Sequence, residues 1–268
     1  MQKNRQKRGK TMREQMYTIP LMDAFKSGDE CPFCFIERNL EQHAIHFVLG
    51  PGASYMEDDI RAQTDEAGFC RTHFQKLYDY GNRLGAALIL STHMKKKNKE
   101  LAEVIKQFTP GKSSAFGRFK KVQPGIAAPK TSIGQWVQAQ EEQCYICNYY
   151  KNTYSRYVDT FMEMYRKEPE FVELVKESKG LCIPHFGDIV ESAEDVLSAK
   201  EKKELYEVLL PLVEKNMKRV QEDVEWFCAK FDYKNKDADW KNSRDAVQRS
   251  MQKMAGGHPA DPIYQQDK

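Results

Sequence analysis

Apolar residues along most of this 268-residue chain recur at the three- and four-residue spacing of α-helices. The spacing is clear over residues 36–48 and again from residue 71 onwards. Runs rich in Val and Ile that alternate with polar residues, which would indicate half-buried strands, are missing. The pattern therefore predicts an all-α fold.

Capping and breaking residues predict where the helices of the first half end. Ser54 is placed to cap a short helix, and Gly68 is placed to terminate it. A long helix is predicted to start near Arg71 and to continue to Phe108, with a break near the lysines at residues 95–97.

The second half of the chain repeats this plan. Tyrosines and apolar residues over 150–165 form a stripe on one helical face, which we interpret as core rather than as a cofactor surface. Pro169 ends that helix. A later helix over residues 205–231 contains Pro211, which predicts a kink or a joint between two helices.

Four potential metal ligands occur in the same order twice. A Cys-x-x-Cys pair is followed by a Cys-x-x-His pair, after 35 residues in the first copy and 34 in the second. The eight residues are Cys31, Cys34, Cys70 and His73, then Cys144, Cys147, Cys182 and His185. Because Cys3His is a usual ligand set of structural zinc sites, we predict an internally duplicated protein that binds two zinc ions.

The predicted helices place these ligands at helix starts. Pro32 suits the first turn of a helix, and residues three apart at a helix end lie on one side. Two helix N-termini should therefore converge on each metal, where free N–H groups and helix dipoles favour thiolates.

Two questions about these sites stay open in the sequence. An iron–sulfur cluster is the main alternative to zinc, and thiol exchange comes third because the usual βαβ context is absent. Each copy can close its own site, or the two Cys-x-x-Cys pairs can exchange partners between copies. Local closure is simpler and is the arrangement that we predict.

The duplication and the composition along the chain predict five segments. Residues 109–130 are rich in Pro and Gly and hold five basic residues and no acidic one, which is typical of a linker. The segments are a basic flexible N-terminal extension (1–15), a first metal-binding helical unit (16–108), the linker (109–130), a second metal-binding helical unit (131–240) and a polar C-terminal segment (241–268).

Charge and hydropathy limit the partners and the location. Residues 1–15 contribute +5 to the net charge of +3, which leaves the rest of the chain mildly acidic. This is a weak signal for nucleic-acid binding. No apolar run approaches the ~20 residues of a membrane span, and no signal-peptide pattern follows the N-terminus. We expect a cytoplasmic protein with no membrane contact, in a reducing compartment where paired cysteines more often bind metal than each other.

Other candidate residues carry less weight. His43 and His46 lack a third ligand and are interpreted as a surface pair, whereas Cys228 lies among aromatic residues and is predicted to be a buried thiol. Phosphate-binding loops, nucleophile elbows and zinc-protease motifs are missing, so the interpretation leans away from an enzyme.

Several segments resemble an uncharacterised bacterial family that is known only as a domain of unknown function. The resemblance covers most of residues 12–255 and includes the paired cysteine and histidine motifs. It implies no activity, but it implies a usual start near Met12, so that residues 1–11 are an extension. The segments that carry it are residues 17–20 with 23–25, 54–61, 68–73 and 231–240.

Three classes of function fit these observations. We predict a metal-stabilised helical module that binds a protein partner or regulates it. The second class is a redox or metal sensor that uses the cysteine sites, with an iron–sulfur cluster as one form. The third is nucleic-acid binding through the basic linker, where Phe116 and Phe119 are interspersed with basic residues.

Overall fold

The computed structural model describes residues 16–110, 129 and 131–257, and within them it contains helices and no strand, which confirms the all-α prediction. The described part of α1 covers residues 16–26. The other helices are α2 (Pro32–Leu49), α3 (Asp58–Ala67), α4 (Arg71–Tyr80), α5 (Arg83–Gln107), α6 (Ser132–Glu141), α7 (Tyr145–Lys167), α8 (Pro169–Glu177), α9 (Ile183–Val196), α10 (Ala199–Ala229) and α11 (Ala246–Ala255). Short 3-10 helices cover Ser54–Met56 and Tyr233–Asn235.

The long helix predicted from Arg71 is two helices, and its break lies earlier than expected. Gly81 ends α4 with a φ of 97°, a left-handed conformation that glycine adopts without steric cost. Asn82 then caps α5 by accepting a hydrogen bond from the Gly85 N–H at 2.9 Å. α5 continues without interruption through the lysines of residues 95–97, where the sequence pattern predicted the break.

Of three further boundary predictions, the one for Gly68 is confirmed, the one for Ser54 is wrong, and the one for Pro211 is narrowed to a kink. Gly68 follows α3 with a φ of 58°, as a terminating glycine should. Ser54 begins only a short 3-10 helix, and α3 itself starts at Asp58. α10 runs through Pro211 as one helix, so no joint divides it there.

The described residues form two compact units whose boundaries do not follow the two sequence copies. The first unit comprises residues 16–41 and 150–257, and the second comprises residues 42–110, 129 and 131–149. Helices α2 and α7, which follow the two Cys-x-x-Cys pairs, each pass from one unit into the other. The compact units therefore differ from the predicted helical units 16–108 and 131–240, because each of these two helices lies within one sequence copy but belongs to both compact units.

Each unit has its own apolar core. Aromatic rings fill that of the first unit, where Phe33, Phe161 and Phe171 are fully buried and pack edge to face. The α7 stripe contributes Tyr157 to this core, which confirms that the stripe is structural. The core of the second unit is aliphatic and aromatic and includes Ile45, Val48, Leu49, Phe69, Ile89 and Ile146.

Candidate metal centres

The eight predicted ligands gather into two clusters, and each cluster combines the two sequence copies. Site 1 contains Cys31, Cys34, Cys182 and His185, and site 2 contains Cys70, His73, Cys144 and Cys147. In each site the four candidate ligand atoms lie within 4.8 Å of one another. The Cys-x-x-Cys pair of one copy thus meets the Cys-x-x-His pair of the other, and the prediction of local closure is wrong.

The ligands of site 1 stand at the start of two helices. Cys31 directly precedes α2, and Cys182 is the N-cap residue of α9. Gly180 turns the chain towards Cys182 with a φ of 73°. Cys34 and His185 follow within the first turn of their helices, so both ligands of a pair face the same side.

Site 2 repeats this construction in the second unit. Cys70 is the N-cap residue of α4, and Cys144 directly precedes α7. The Tyr145 N–H donates a hydrogen bond to the Gly68 carbonyl at 2.9 Å, which joins the two chain segments beside the ligands. In both sites two helix N-termini converge, as the spacing predicted.

In site 1 the imidazole nitrogen lies within hydrogen-bonding distance of all three sulfurs. His185 Nδ1 lies 3.3 Å from Cys31 Sγ, 3.5 Å from Cys34 Sγ and 3.1 Å from Cys182 Sγ. The sulfurs of Cys34 and Cys182 are 3.7 Å apart.

Site 2 has the same dimensions. His73 Nδ1 lies 3.2 Å from both Cys70 Sγ and Cys144 Sγ, and 3.4 Å from Cys147 Sγ. The sulfurs of Cys70 and Cys147 are 3.9 Å apart. A tetrahedral ion with metal–sulfur bonds of about 2.3 Å and metal–nitrogen bonds of about 2.0 Å separates its ligand atoms by about 3.5–3.8 Å. Both clusters are therefore compatible with one tetrahedral ion each.

The histidine of site 1 has an acidic partner on its outer side. His185 Nε2 lies 2.9 Å from Glu37 Oε1, and the Tyr150 hydroxyl donates to the same oxygen at 2.7 Å. A carboxylate in this position orients a ligating imidazole and makes it more basic. Glu37 is three residues after Cys34, and the position three residues after Cys147 is occupied by Tyr150, so the second copy has no carboxylate at the matching position.

Helix α11 supports site 1 from the C-terminal segment. Lys253 is buried, and its Nζ donates to the carbonyls of Glu30 and Lys179, both at 2.6 Å. These carbonyls lie on the two loops that lead into the ligand pairs. Gln252 donates to Asp29 Oδ1 at 2.6 Å, and that oxygen also accepts from the Cys31 N–H at 3.1 Å.

Sequence reasoning missed these supporting residues. Residues 241–268 were predicted to be a polar segment, yet Ala246, Arg249, Gln252 and Lys253 are buried at helical spacing. These four residues recur at helical spacing in the sequence. Three of them are polar, however, and polar residues are ordinarily predicted to face solvent.

The two sites differ in their access to solvent. All four ligands of site 1 are buried, whereas Cys70 and Cys147 of site 2 are half-buried. A cavity of about 770 Å³ borders site 2, and its lining includes Cys70, Arg71 and Phe74. Site 1 is thus enclosed, and site 2 is open on one side.

The thiols and the imidazole of each cluster shift one another's pKa. Burial favours the neutral thiol of Cys144, but its hydrogen bond with His73 and two backbone hydrogen bonds outweigh this and lower its pKa to about 6. Burial and the neighbouring Cys144 charge raise the pKa of Cys147 to about 12. In site 1, burial opposes the cation of His185, yet hydrogen bonds to Cys182, Cys31 and Glu37 raise its pKa to about 12. Metal binding must therefore displace protons from both clusters.

Other candidates from the sequence lie away from these clusters. His43 and His46 are exposed, and His46 Nδ1 lies 3.0 Å from the Tyr80 hydroxyl, so the interpretation as a surface pair is confirmed. The prediction for Cys228 is wrong, because this thiol is exposed at the end of α10, where its aromatic neighbours pack against one another on the surface. Phe116 and Phe119 of the linker and the basic N-terminal extension lie outside the described residues.

The fold and the two clusters define a class of protein: an all-helical chain with two Cys3His sites, each able to hold a metal ion. The chain belongs to a family of unknown function, DUF6062, which it matches over residues 12–261. This confirms the resemblance found in the sequence. Comparison with curated proteins and comparison with solved structures each returned no match. Within the described residues, no helix is both long enough and apolar enough to cross a membrane.

Proposed function

We propose that this protein is a zinc-binding helical module in which two zinc ions fasten helix N-termini together. The observation that carries the proposal is that four ligand atoms of the Cys3His type lie within 4.8 Å of one another in each cluster. Zinc accepts this ligand set and this tetrahedral geometry in structural sites. Zinc in such sites contributes folding free energy, because the unfolded chain holds no preformed site.

The ligand spacing also favours a single ion over an iron–sulfur cluster. A cluster distributes its protein ligands over more than one iron atom, so ligands of different irons stand farther apart than ligands of one ion. The sulfur–sulfur distances of 3.7 Å in site 1 and 3.9 Å in site 2 match ligands of a single ion.

Elemental analysis of protein purified without oxygen, together with its visible absorption spectrum, tests the metal. We expect two equivalents of zinc per chain and a colourless solution. Brown protein with iron and acid-labile sulfide would contradict the single-ion proposal. Coloured protein that contains iron but no sulfide would be consistent with one ion per site, but that ion would be iron and not zinc.

The role that we propose for this module is to bind a protein partner. An aromatic patch at the end of α10 supports this role, and it consists of the exposed Phe231 and Tyr233 and the half-buried Phe227 and Trp240. Phe231 and Tyr233 are 74% and 82% exposed, and the rings of Phe227, Phe231 and Trp240 pack against one another. Rigid aromatic side chains of this kind are enriched at the centres of protein interfaces.

A photo-crosslinking amino acid at Tyr233 tests this role in cells that naturally contain the protein. We expect one discrete crosslinked species with that probe. The same probe at Lys200 of α10, whose side chain is 86% exposed, should give none. Equal crosslinking from both positions would contradict a specific partner surface.

A redox-sensing role for site 2 is the second candidate. It is favoured by two half-buried cysteines, Cys70 and Cys147, of which Cys70 lines an open cavity. Partly exposed thiolates at helix N-termini are the reactive kind of cysteine. In the reaction that we propose, one thiolate attacks the O–O bond of a hydroperoxide, which releases water or an alcohol and leaves a sulfenic acid. The second thiolate then attacks the sulfenic sulfur, forms the S–S bond and displaces hydroxide, which leaves as water. Two thiolates are oxidised to one disulfide, the peroxide is reduced, and the ion is released.

Treatment of zinc-loaded protein with hydrogen peroxide tests this candidate. We expect release of one zinc equivalent and a Cys70–Cys147 disulfide detected by peptide mass spectrometry. Release of both ions at the same rate would contradict a redox role for site 2, and only the structural role would remain. The cytoplasmic location stays a prediction. Nucleic-acid binding also stays a prediction, because no observation on the described residues supports it.

A further inference from the structure

A second concave region of the first unit is built from charged side chains and not from metal ligands. This cavity, of about 800 Å³, lies among the C-terminal end of α8, the middle of α10 and the segment leading into α11. Seven basic and three acidic side chains line it. Its size is in the range of small-molecule sites, which run from about 300 to 1,000 Å³, but its lining is polar where most such sites are apolar. The cavity is therefore suited to a charged ligand.

A buried carboxylate, Glu30, forms part of this lining. Its side chain is 3% exposed, and Arg219 lies 2.5 Å from Oε2. The other oxygen, Oε1, is buried and has no hydrogen-bond partner among the described residues. The nearest cations to Oε1 are Arg249 at 3.6 Å and Lys179 at 3.8 Å, beyond hydrogen-bonding distance. A buried acceptor left in this state costs free energy unless a donor from outside the chain satisfies it.

The basic side chains of the cavity exceed what the neighbouring carboxylates neutralise. Arg249 is paired with Asp223 and Asp245, both at 2.9 Å. Lys215 and Arg244, by contrast, form no ion pair within the described part of the chain, and Arg244 lies over the ring of Trp240. The rim of the cavity thus offers positive charge to an incoming anion. Glu30 is one of the lining residues, and its unsatisfied Oε1 is buried behind the cavity surface.

We propose that this cavity binds a small phosphate ester that also carries hydroxyl groups. The phosphate meets the ammonium of Lys215 and the guanidinium of Arg244, which hydrogen-bond to phosphate oxygens. Because Glu30 Oε1 has almost no accessible surface, a ligand hydroxyl reaches it only after a lining side chain moves aside; it then donates to Oε1 and satisfies the buried acceptor. A single ligand can satisfy both the basic side chains and Glu30 only if it carries an anionic group and a hydrogen-bond donor.

The site is independent of the zinc proposal, although the two are adjacent in the chain. None of its lining residues is a candidate metal ligand. Glu30 directly precedes Cys31, so a bound ligand rests against the loop that leads into site 1. We expect the ligand to raise the melting temperature of the protein, because it binds only the folded state.

Isothermal titration calorimetry on the full, metal-loaded chain at low ionic strength tests the site with three probes. Ribose 5-phosphate has both chemical features, sulfate has the anion without the donor, and ribose has the donors without the anion. We expect ribose 5-phosphate to bind at least about tenfold more tightly than sulfate, since sulfate has no hydroxyl group to donate to the charged Glu30 side chain. Ribose should give no measurable heat.

A matched pair of double variants shows whether the binding occurs in this cavity. Lys215→Ala with Arg244→Ala should weaken binding of ribose 5-phosphate at least about tenfold. Lys200→Ala with Lys203→Ala removes two lysines from exposed positions on α10 and should leave binding unchanged. Zinc content, measured on each variant, reports that site 1 is intact.

Three results would overturn the proposal. The first is no binding of ribose 5-phosphate by the metal-loaded protein, and the second is equal weakening by the two double variants. The third is sulfate affinity equal to that of ribose 5-phosphate, which would remove the role of Glu30.

Discussion

At each site three thiols and an imidazole have their ligand atoms within 4.8 Å of one another, and this crowding has a physical cost. Buried polar groups without compensating partners destabilise a fold, and thiolates repel one another at these distances. In site 1 the four ligands are buried, so solvent provides little relief. A divalent cation removes the repulsion and satisfies all four ligand atoms at once, which is the residue-level reason to expect metal.

The exchanged pairing of ligands can be tested by counting metal in double variants. Cys34→Ser with Cys182→Ser removes two ligands of site 1 and should leave one zinc per chain, because site 2 is intact. Cys34→Ser with Cys70→Ser removes one ligand from each site and should leave neither ion tightly bound. Native mass spectrometry gives the count. The reverse result, with one ion retained by the second variant and none by the first, would establish local closure.

Glu37 should tune the affinity of site 1 without touching the metal. Glu37→Gln weakens the acceptor that faces His185 Nε2, so we expect a zinc affinity roughly 10–100-fold lower at site 1. Chelator competition in a Cys70→Ser background reports site 1 alone. Glu207→Gln, an exposed change on α10, is the control. Equal affinities in the two variants would show that the carboxylate has no such role.

The pKa of Cys144 predicts the pH dependence of site 2. The hydrogen bond with His73 helps hold this pKa near 6 against an ordinary value of 9.0, so the thiolate is favoured above pH 6 and is protonated below it. Zinc then competes with one additional proton below about pH 6, and its affinity should fall more steeply with acidification there. Zinc titrations of the Cys34→Ser variant between pH 5 and 8 measure the slope, and a constant slope across that range would contradict the assignment.

At the scale of elements, helix α11 acts as a brace for site 1. Lys253 spans the carbonyls of Glu30 and Lys179 and so links the loops before the two ligand pairs. Arg249 of the same helix reaches Asp223 on α10 at 2.9 Å. The convergence of α2 and α9 therefore depends on a helix that contributes no ligand.

Replacement of this lysine should show how much the brace contributes. Lys253→Met keeps most of the side-chain volume but leaves two buried carbonyls without their donor, which should cost about 2–4 kcal/mol of unfolding free energy. Urea unfolding of the metal-loaded protein measures the change. Lys200→Met, on an 86% exposed side chain, should change stability by less than about 0.5 kcal/mol. Similar values for the two variants would contradict a bracing role.

At the scale of the whole molecule, the two units differ in how deeply they bury their candidate metal sites. The first unit encloses site 1 in an aromatic core with buried ligands, and the second unit leaves two sulfurs of site 2 half-buried. A chelator should therefore reach a metal ion bound at site 2 directly, whereas site 1 must open before a chelator can reach its ion.

Removal of metal by a chelator should consequently take place in two phases. We expect the first zinc to leave site 2 at least about tenfold faster than the second leaves site 1, because local opening of a core is the slower event. Native mass spectrometry during incubation with EDTA, with Cys34→Ser and Cys70→Ser proteins to assign the phases, gives the rates. Single-phase loss of both ions would contradict independent sites.

The amino-acid sequence by itself determined the helical class, the eight candidate ligands and their place at helix starts. These are local properties, because periodicity, Pro32 and Gly68 act within a few residues of themselves. Even locally, competition between signals misplaced one break, since Gly81 interrupts the helix before the lysines of residues 95–97 do.

Only the tertiary structure decided which ligands share an ion and which residues support them. A spacing of 34 or 35 residues between ligand pairs is long enough to permit either pairing, so spacing alone cannot choose. The choice follows from helices α2 and α7, which pass between units and bring each Cys-x-x-Cys pair to the other copy's Cys-x-x-His pair. Glu37 and Lys253 carry no motif, and their roles arise from packing between segments that are distant in the chain.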